Sequence, residues 1–189
     1  MSPASVITIS RQMGSLGSAA ASQAAPQLGF EVHQRELINQ AARRAGAPEA
    51  ALAELDELGL LGLRPTPEQV QAYLTAVRQV MLELASRGRV IIIGRAGQVI
   101  LRDHPGVLHL RITAPLAVRA QRIADRQHIT LNAALAQVQA SDRSRKSYLK
   151  RNYQVRWDDP DWYDLTLNTA HLTVEAVAEI ICTAARRYT

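Results

Sequence analysis

The sequence predicts an α/β fold with a central parallel sheet, and three observations carry that prediction. The short β-branched runs Val6–Ile9 and Val90–Ile93 have the composition of buried strands. Candidate strands alternate with helical patterns along the chain, as a parallel sheet with crossover helices requires. The first strand runs into a glycine-punctuated loop, Gln12-Met13-Gly14-Ser15-Leu16-Gly17-Ser18, and then into an alanine-rich helical segment. At 189 residues and 47% hydrophobic, the chain is long enough to bury such a core as one domain over 1–189 with a small appended lobe.

Taken in order, the first helix covers Ala19–Leu28, with Pro26 near its end and Gly29 as its stop. Phe30–His33 reads as a short strand. Gln34 opens a helix through about Ala45, and Pro48 restarts one over Glu49–Leu58. Residues 59–67, rich in glycine and proline, read as a loop. Pro67 begins a long helix whose Val70, Leu74, Val77, Met81 and Leu84 recur every three or four residues, an apolar stripe for the core. After the Val90 strand, Leu108, Leu110 and Ile112 alternate in the next one. Pro115 starts a helix carrying Arg119, Arg122 and Arg126. Thr130 is placed to cap a helix from Leu131, and Trp157–Pro160 reads as a turn. Tyr163–Asn168 is the last strand, and Val174, Val177 and Ile181 mark a final amphipathic helix.

The formal net charge is +5, and Lys146 and Lys150 are the only lysines, so arginine supplies nearly all the positive charge. Arginine forks onto phosphate with two parallel hydrogen bonds, which favours phosphate-bearing substrates. The arginines are dispersed and not interleaved with aromatics, so specific nucleic-acid recognition is not expected. The opening residues lack the basic and long apolar regions of a secretory signal, and no apolar run is long enough for a membrane span. A soluble cytoplasmic protein is the expectation. Cys182 stands alone, no Cys/His spacing suits zinc, and no Gly-x-Ser-x-Gly elbow for an esterase occurs.

Two stretches carry chemistry. A strand, a glycine loop and a helix together make a phosphate site, because glycines allow close approach and the helix N-terminus aims N–H groups at the anion. An ordinary strand–turn–helix joint has the same outline, and the residues alone leave both readings open. Registered from the strand end, a Walker loop would place glycine, glycine and lysine where this chain has Arg11, Leu16 and Gly17; only Ser18 agrees. Arg95 follows the Val90 strand between Gly94 and Gly97, at the strand end where such sheets place ligands. It reads either as a phosphate fork or as a strand cap paired with a carboxylate such as Asp103. The run Arg143, Arg145, Lys146, Lys150, Arg151 reads as a solvated helix or as a lid over a polyphosphate. Asp56, Glu57, Asp142 and Asp164 are the candidate magnesium carboxylates.

In order and spacing these segments resemble the cytidylate kinase-like family, a branch of the P-loop nucleoside monophosphate kinases. Ile7–Gly17 resembles the family's opening loop, which typically reads Ser-Arg-Gln, an aromatic, then Gly-Ser-Gly-Gly. Leu28-Gly29-Phe30 with Arg35-Glu36-Leu37-Ile38 is similar to its monophosphate-side segment. Ile93–Gly97, Asp142–Arg145 with Tyr148, and Tyr163–Leu165 with Leu167–Thr169 extend the likeness over nearly the whole chain. Three departures stand out: Leu16 for a loop glycine, Ser18 where a basic residue is common, and Gln34 where aspartate is usual.

The resemblance implies a P-loop NTPase-like three-layer sandwich with monophosphate-side helices at 34–63 and a small helical lid at 131–156. It implies transfer of the ATP γ-phosphoryl, with Mg²⁺, to a pyrimidine nucleoside monophosphate such as CMP. Gly14, Ser15, Gly17, Ser18 and Arg122 would hold the donor, with the Ser18 hydroxyl near the metal and Arg11 standing in for the missing lysine. Arg35, Glu36 and Arg95 would bind the acceptor, while Arg11, Arg95, Arg143 and Arg145 serve the transferred group. The departures point to an alternative, a catalytically impaired nucleotide-binding or regulatory module of the same fold. Gly17→Lys would then be the direct way to restore activity.

Overall fold

The computed structural model describes residues 3–34, 39, 42–44, 46 and 66–188. The expected monophosphate-side helices at 34–63 lie largely outside these residues, as do Arg35, Glu36, Asp56 and Glu57.

Five strands, β1 (Val6–Arg11), β2 (Glu31–His33), β3 (Val90–Ile93), β4 (Val107–Thr113) and β5 (Leu165–Asn168), form one sheet in the order β2-β3-β1-β4-β5. Every pairing is parallel, with Ile7 opposite both Ile91 and Leu108. Parallel neighbours need crossovers, and the helices supply them. These are α1 (Gly17–Leu28), α2 (Pro67–Arg87), α3 (Gly97–Ile100), α4 (Leu116–Gln127), α5 (Leu131–Tyr153) and α6 (Val174–Arg186). The chain leaves β1 towards β2 and β3 on one side and later returns on the other side to lay down β4. The carboxyl end of β1 is therefore the switch point of the sheet, where such folds open a crevice.

Local signals set the helix ends. Thr66 accepts from the Gln69 N–H and Gln69 reaches back to the Thr66 N–H, a reciprocal cap in front of Pro67. The Thr130 hydroxyl accepts from Ala133 N–H to start α5, and Gly29, at φ 66°, ends α1.

The sheet divides the core in two. Ile7, Ile9, Ile91, Ile93, Leu108, Leu110 and Ile112 pack beneath α1 and α6 against Ala20, Ala24, Val177 and Ile181. On the other face Val6, Val90, Ile92 and Val107 pack against Tyr73, Val77 and Met81 of α2 and Leu101 after α3. Each such fully buried aliphatic side chain contributes about 1.5–3 kcal/mol. Ile123, Ala124, Ala134 and Val138 join α4 to α5 in a smaller core.

Three details differ from the sequence expectation. The buried stripe of α2 is Tyr73, Ala76, Val77, Met81, Leu84 and Ala85; Val70 and Leu74 are only partly buried. Tyr73 enters the core because its hydroxyl finds Asn39 Oδ1 at 2.9 Å. The last strand begins at Leu165, since a single 3-10 turn at Pro160–Trp162 precedes Tyr163 and Asp164. The alternation of β4 hides no wet face, because His109 and Arg111 are buried as well. Among the described residues no helix is long and apolar enough to cross a membrane.

Candidate functional site

The loop between β1 and α1 turns through two left-handed residues, Gly14 and Leu16. Leu16 sits at φ 66°, ψ −4°, a left-handed conformation that costs a non-glycine residue about 1–2 kcal/mol. Gly14 has φ 79°, and a Cβ there would meet the Arg119 carbonyl oxygen at 2.7 Å, so α4 leaves no room for a side chain. Ser15 closes the turn internally: its N–H and hydroxyl both donate to the Gln12 carbonyl, at 3.2 and 2.8 Å.

Three loop carbonyls are held by side chains. Arg119 reaches the Met13 carbonyl at 3.4 Å and Arg122 the Gly14 carbonyl at 3.4 Å. The Thr169 hydroxyl donates to the Ser15 carbonyl at 3.0 Å and is itself held by Arg122. With these carbonyls engaged by donors, and the first N–H groups of α1 without partners inside the helix, the loop presents a positive concavity. A cleft of about 230 Å³ lies over it, lined by Gly14, Leu16, Gly17 and Ser18 and by Arg11, Arg122, Arg126 and Arg145.

A second cavity, of about 50 Å³, adjoins it at the ends of β1 and β3. Gly94, Arg95 and Ala96 follow β3 with φ 82°, 53° and 57°, three left-handed residues in succession. That strained turn puts Arg95, 8% exposed, into the cavity wall with its guanidinium 5.8 Å from the Tyr148 ring. The floor is a buried network. Trp157 Nε1 donates to Ser10 Oγ at 2.7 Å, and the Tyr163 hydroxyl lies 2.9 Å from the Trp157 carbonyl. Gln98 Nε2 donates to that hydroxyl at 3.3 Å. Arg111 sits beneath, bonded to the Trp157 carbonyl and 4.8 Å from the centre of the Trp157 ring. Burial pushes the Tyr148 and Tyr153 phenols up, so both hydroxyls stay neutral across physiological pH.

Arg11 and Arg145 line both cavities, and Arg145 Nη1 donates to the Arg11 carbonyl at 2.9 Å. No carboxylate stands among the described lining residues, so the combined pocket attracts anions and concentrates them.

Of the residues singled out in the sequence, Arg11, Gly14, Ser15, Gly17, Ser18, Arg122 and Arg145 converge on the outer cleft, and Arg95 on the inner cavity. Arg143 is exposed on α5 and lines neither. Asp142 is gripped by Arg119 through two bonds of 2.9 and 3.2 Å, and Asp164 accepts from the His109 N–H at 2.7 Å. Both carboxylates hold the scaffold together and are not presented as metal ligands. Among the described residues no group of three His, Cys, Asp or Glu gathers into a metal site. Sequence reasoning missed Arg126, Trp157, Gln98, Tyr163 and Arg111. For Arg126 the signal was present, one helical turn beyond Arg122. For the others it was not, since apart from the Tyr163–Trp157 bond their partners lie 46 to 153 residues away in the chain.

Residues 6–171 match the model of the cytidylate kinase-like family. A cytidylate kinase of Aeropyrum pernix is 36% identical over 106 residues, a match spanning 56% of this chain and only 61% of that protein. One from Ignicoccus hospitalis is 30% identical over 177 residues, 93% of this chain and 96% of the relative. The solved structure of an uncharacterized protein from Eubacterium ventriosum superposes with a TM-score of 0.76 at 20% identity, over 96% of this chain and 98% of that one, a likeness of fold.

Proposed function

The chain belongs to the cytidylate kinase-like family, and on that premise we propose that it transfers the γ-phosphoryl group of ATP to a nucleoside monophosphate, with CMP as the acceptor. The carrying observation is that two anion-attracting cavities meet at Arg11 and Arg145. Phosphoryl transfer is mostly a matter of positioning two phosphates in line and stabilising the charge that spreads over the transferred group. In this reading the β1–α1 loop cradles the donor phosphates on backbone N–H groups, and Arg122 and Arg126 flank them. Arg95 fixes the acceptor phosphate. Arg145, on the lid helix α5, reaches the junction between the two.

The nucleotide enters as its magnesium complex. Ser18 offers that ion one hydroxyl oxygen, consistent with a metal that takes most of its ligands from phosphates and water. The single domain over 1–189, the lid role of 131–156 and acceptor binding by Arg35 and Glu36 complete the proposal. Closure of the lid would exclude water, which otherwise competes as the phosphoryl acceptor.

The missing lysine and the left-handed Leu16 favour a second reading, a module that binds nucleotide without chemistry. A coupled assay of ADP release across a panel of nucleoside monophosphates separates the two. The kinase reading expects turnover with CMP and a fall of about 10²–10³-fold in Arg95→Ala, the loss of one preorganised charge contact. Tight ATP binding with no turnover on any monophosphate supports the second reading. The absence of both refutes the two together.

A further inference from the structure

The place where a Walker lysine would start is filled. Gly17 is buried in the first turn of α1, and a Cβ there would lie 2.8 Å from Arg11 Cβ, 3.4 Å from Arg11 Cγ and 3.2 Å from Ile112 Cβ. Contacts below 3.0 Å require something to move, and Cβ and Cγ are the anchored base of the arginine, not its flexible tip. The stem of Arg11 therefore crosses the space a side chain at 17 would need. Beyond that crossing, Arg11 Nε donates to Ser18 Oγ at 3.4 Å, while Nη1 lies 3.2 Å from where a Cβ on Gly94 would sit. The guanidinium thus spans from the donor loop to the edge of the acceptor cavity.

We infer that Arg11 and a lysine at position 17 are mutually exclusive occupants of one place, and that Arg11 grips the transferring phosphoryl group from the junction of the two cavities. This rests on the kinase reading of the site. A Walker lysine departs from the helix and meets only the donor; Arg11 departs from the strand end and faces both partners. In the step it serves, an acceptor phosphate oxygen forms a bond to the γ-phosphorus. The bond from that phosphorus to the β–γ bridging oxygen breaks, and its electron pair leaves with ADP. No proton needs to move, so the guanidinium acts as a fixed double donor to charge on the equatorial oxygens. The absence of a lysine marks a rerouted cation, not a lost one. Gly17→Lys, which the sequence alone recommends as a repair, is then predicted to do harm.

Four proteins decide it: wild type, Arg11→Ala, Gly17→Lys and the double variant Arg11→Gly with Gly17→Lys. Each is titrated with ATP by calorimetry and assayed for phosphoryl transfer. Arg11→Ala is expected to lower kcat by about 10²-fold or more and to weaken ATP binding about tenfold. Gly17→Lys alone should lose ATP binding, and the double variant, in which glycine leaves no Cβ at position 11 to meet the new side chain, should bind ATP more tightly than Gly17→Lys. Gly17→Lys that binds and turns over like wild type would overturn the inference, as would Arg11→Ala with unaltered affinity and rate. If Gly17→Lys does not fold, Arg11→Ala, which only removes atoms, still decides. A wild type without transfer to any monophosphate refutes the kinase reading, while the ATP affinities of the same proteins continue to test Arg11.

Discussion

The two faces of the sheet are built on opposite principles. Toward α1 and α6 the three central strands present aliphatic side chains, Ile7 and Ile9, Ile91 and Ile93, Leu108, Leu110 and Ile112, until Arg11 at the end of β1 meets Gly17 of α1. On the other face the strands start with Val6, Val90 and Val107; β3 continues with Ile92, while β1 turns polar with Thr8 and Ser10 and β4 with His109 and Arg111, all buried. A polar group inside a doubly covered sheet costs free energy unless it finds a partner. Here Thr8 and His109 pair with each other at 2.7 Å, while Ser10 and Arg111 find partners from outside the sheet, Trp157 and Tyr163 from the stretch after α5. The same partners form the floor of the inner cavity. One face holds the fold together, and the polarity of the other marks the end of the sheet where the site lies.

Leu110→Ala tests the first half of this contrast with the largest expected effect. Leu110 is fully buried, and truncating such a residue costs about 2–5 kcal/mol of stability. The unfolding midpoint in denaturant should fall accordingly, while kcat and both KM values per folded molecule stay put. A change in the acceptor KM would show that the aliphatic face also shapes the site, and the contrast would break.

Trp157→Phe probes the polar face more gently. Phenylalanine keeps a ring above Arg111 but loses the Nε1–H donated to Ser10, a bond worth about 1 kcal/mol. The expected reading is a rise of about fivefold in the acceptor KM, the factor matching that energy, with the KM for ATP unchanged. An effect confined to the ATP side would place Trp157 in the wrong cavity.

The same contrast explains what the sequence disclosed. The aliphatic face was legible, because β-branched runs and periods of two and 3.6 are local signals; so were the starts at Pro67 and Thr130 and the glycine turns around Gly14 and Gly94. The polar face was not. The alternation of Leu108, Leu110 and Ile112 says nothing of His109 and Arg111 between them, whose partners Thr8, Asp164, Trp157 and Tyr163 come from distant parts of the chain. Trp157 read as part of a turn, which it is, and nothing local says that its indole reaches Ser10. Asp142 read as a magnesium candidate because Arg119, its partner, lies on another helix. Leu16 showed as a departure, but that the backbone would hold a left-handed leucine follows from the loop's tethers, not from the residue.

The smallest predicted effect is one of pH, and it again separates the faces. His109 Nδ1 lies 2.7 Å from Thr8 Oγ1, packed under the Leu101 backbone with Asp164 and Arg102 as the charged groups facing it. Burial is the leading cause that lowers its pKa below the ordinary 6.5; Arg102 pushes the same way, while Asp164 and the Leu101 carbonyl oppose. Below pH 6.5 the unfolded chain therefore takes up a proton on this residue that the folded chain refuses. The unfolded state binds more protons in that window, so stability falls as pH drops through it and levels off above 6.5. The slope is bounded by about 1.4 kcal/mol per pH unit for one group. Thermal unfolding between pH 5 and 7.5 should show His109→Gln with a shallower slope than wild type. Leu110→Ala, whose face carries no group titrating in that window, should run parallel to wild type from a lower starting point. Equal slopes for wild type and His109→Gln would mean that the imidazole is charged inside the sheet, and the polar face would then be held by an ion pair with Asp164 instead of by neutral hydrogen bonds.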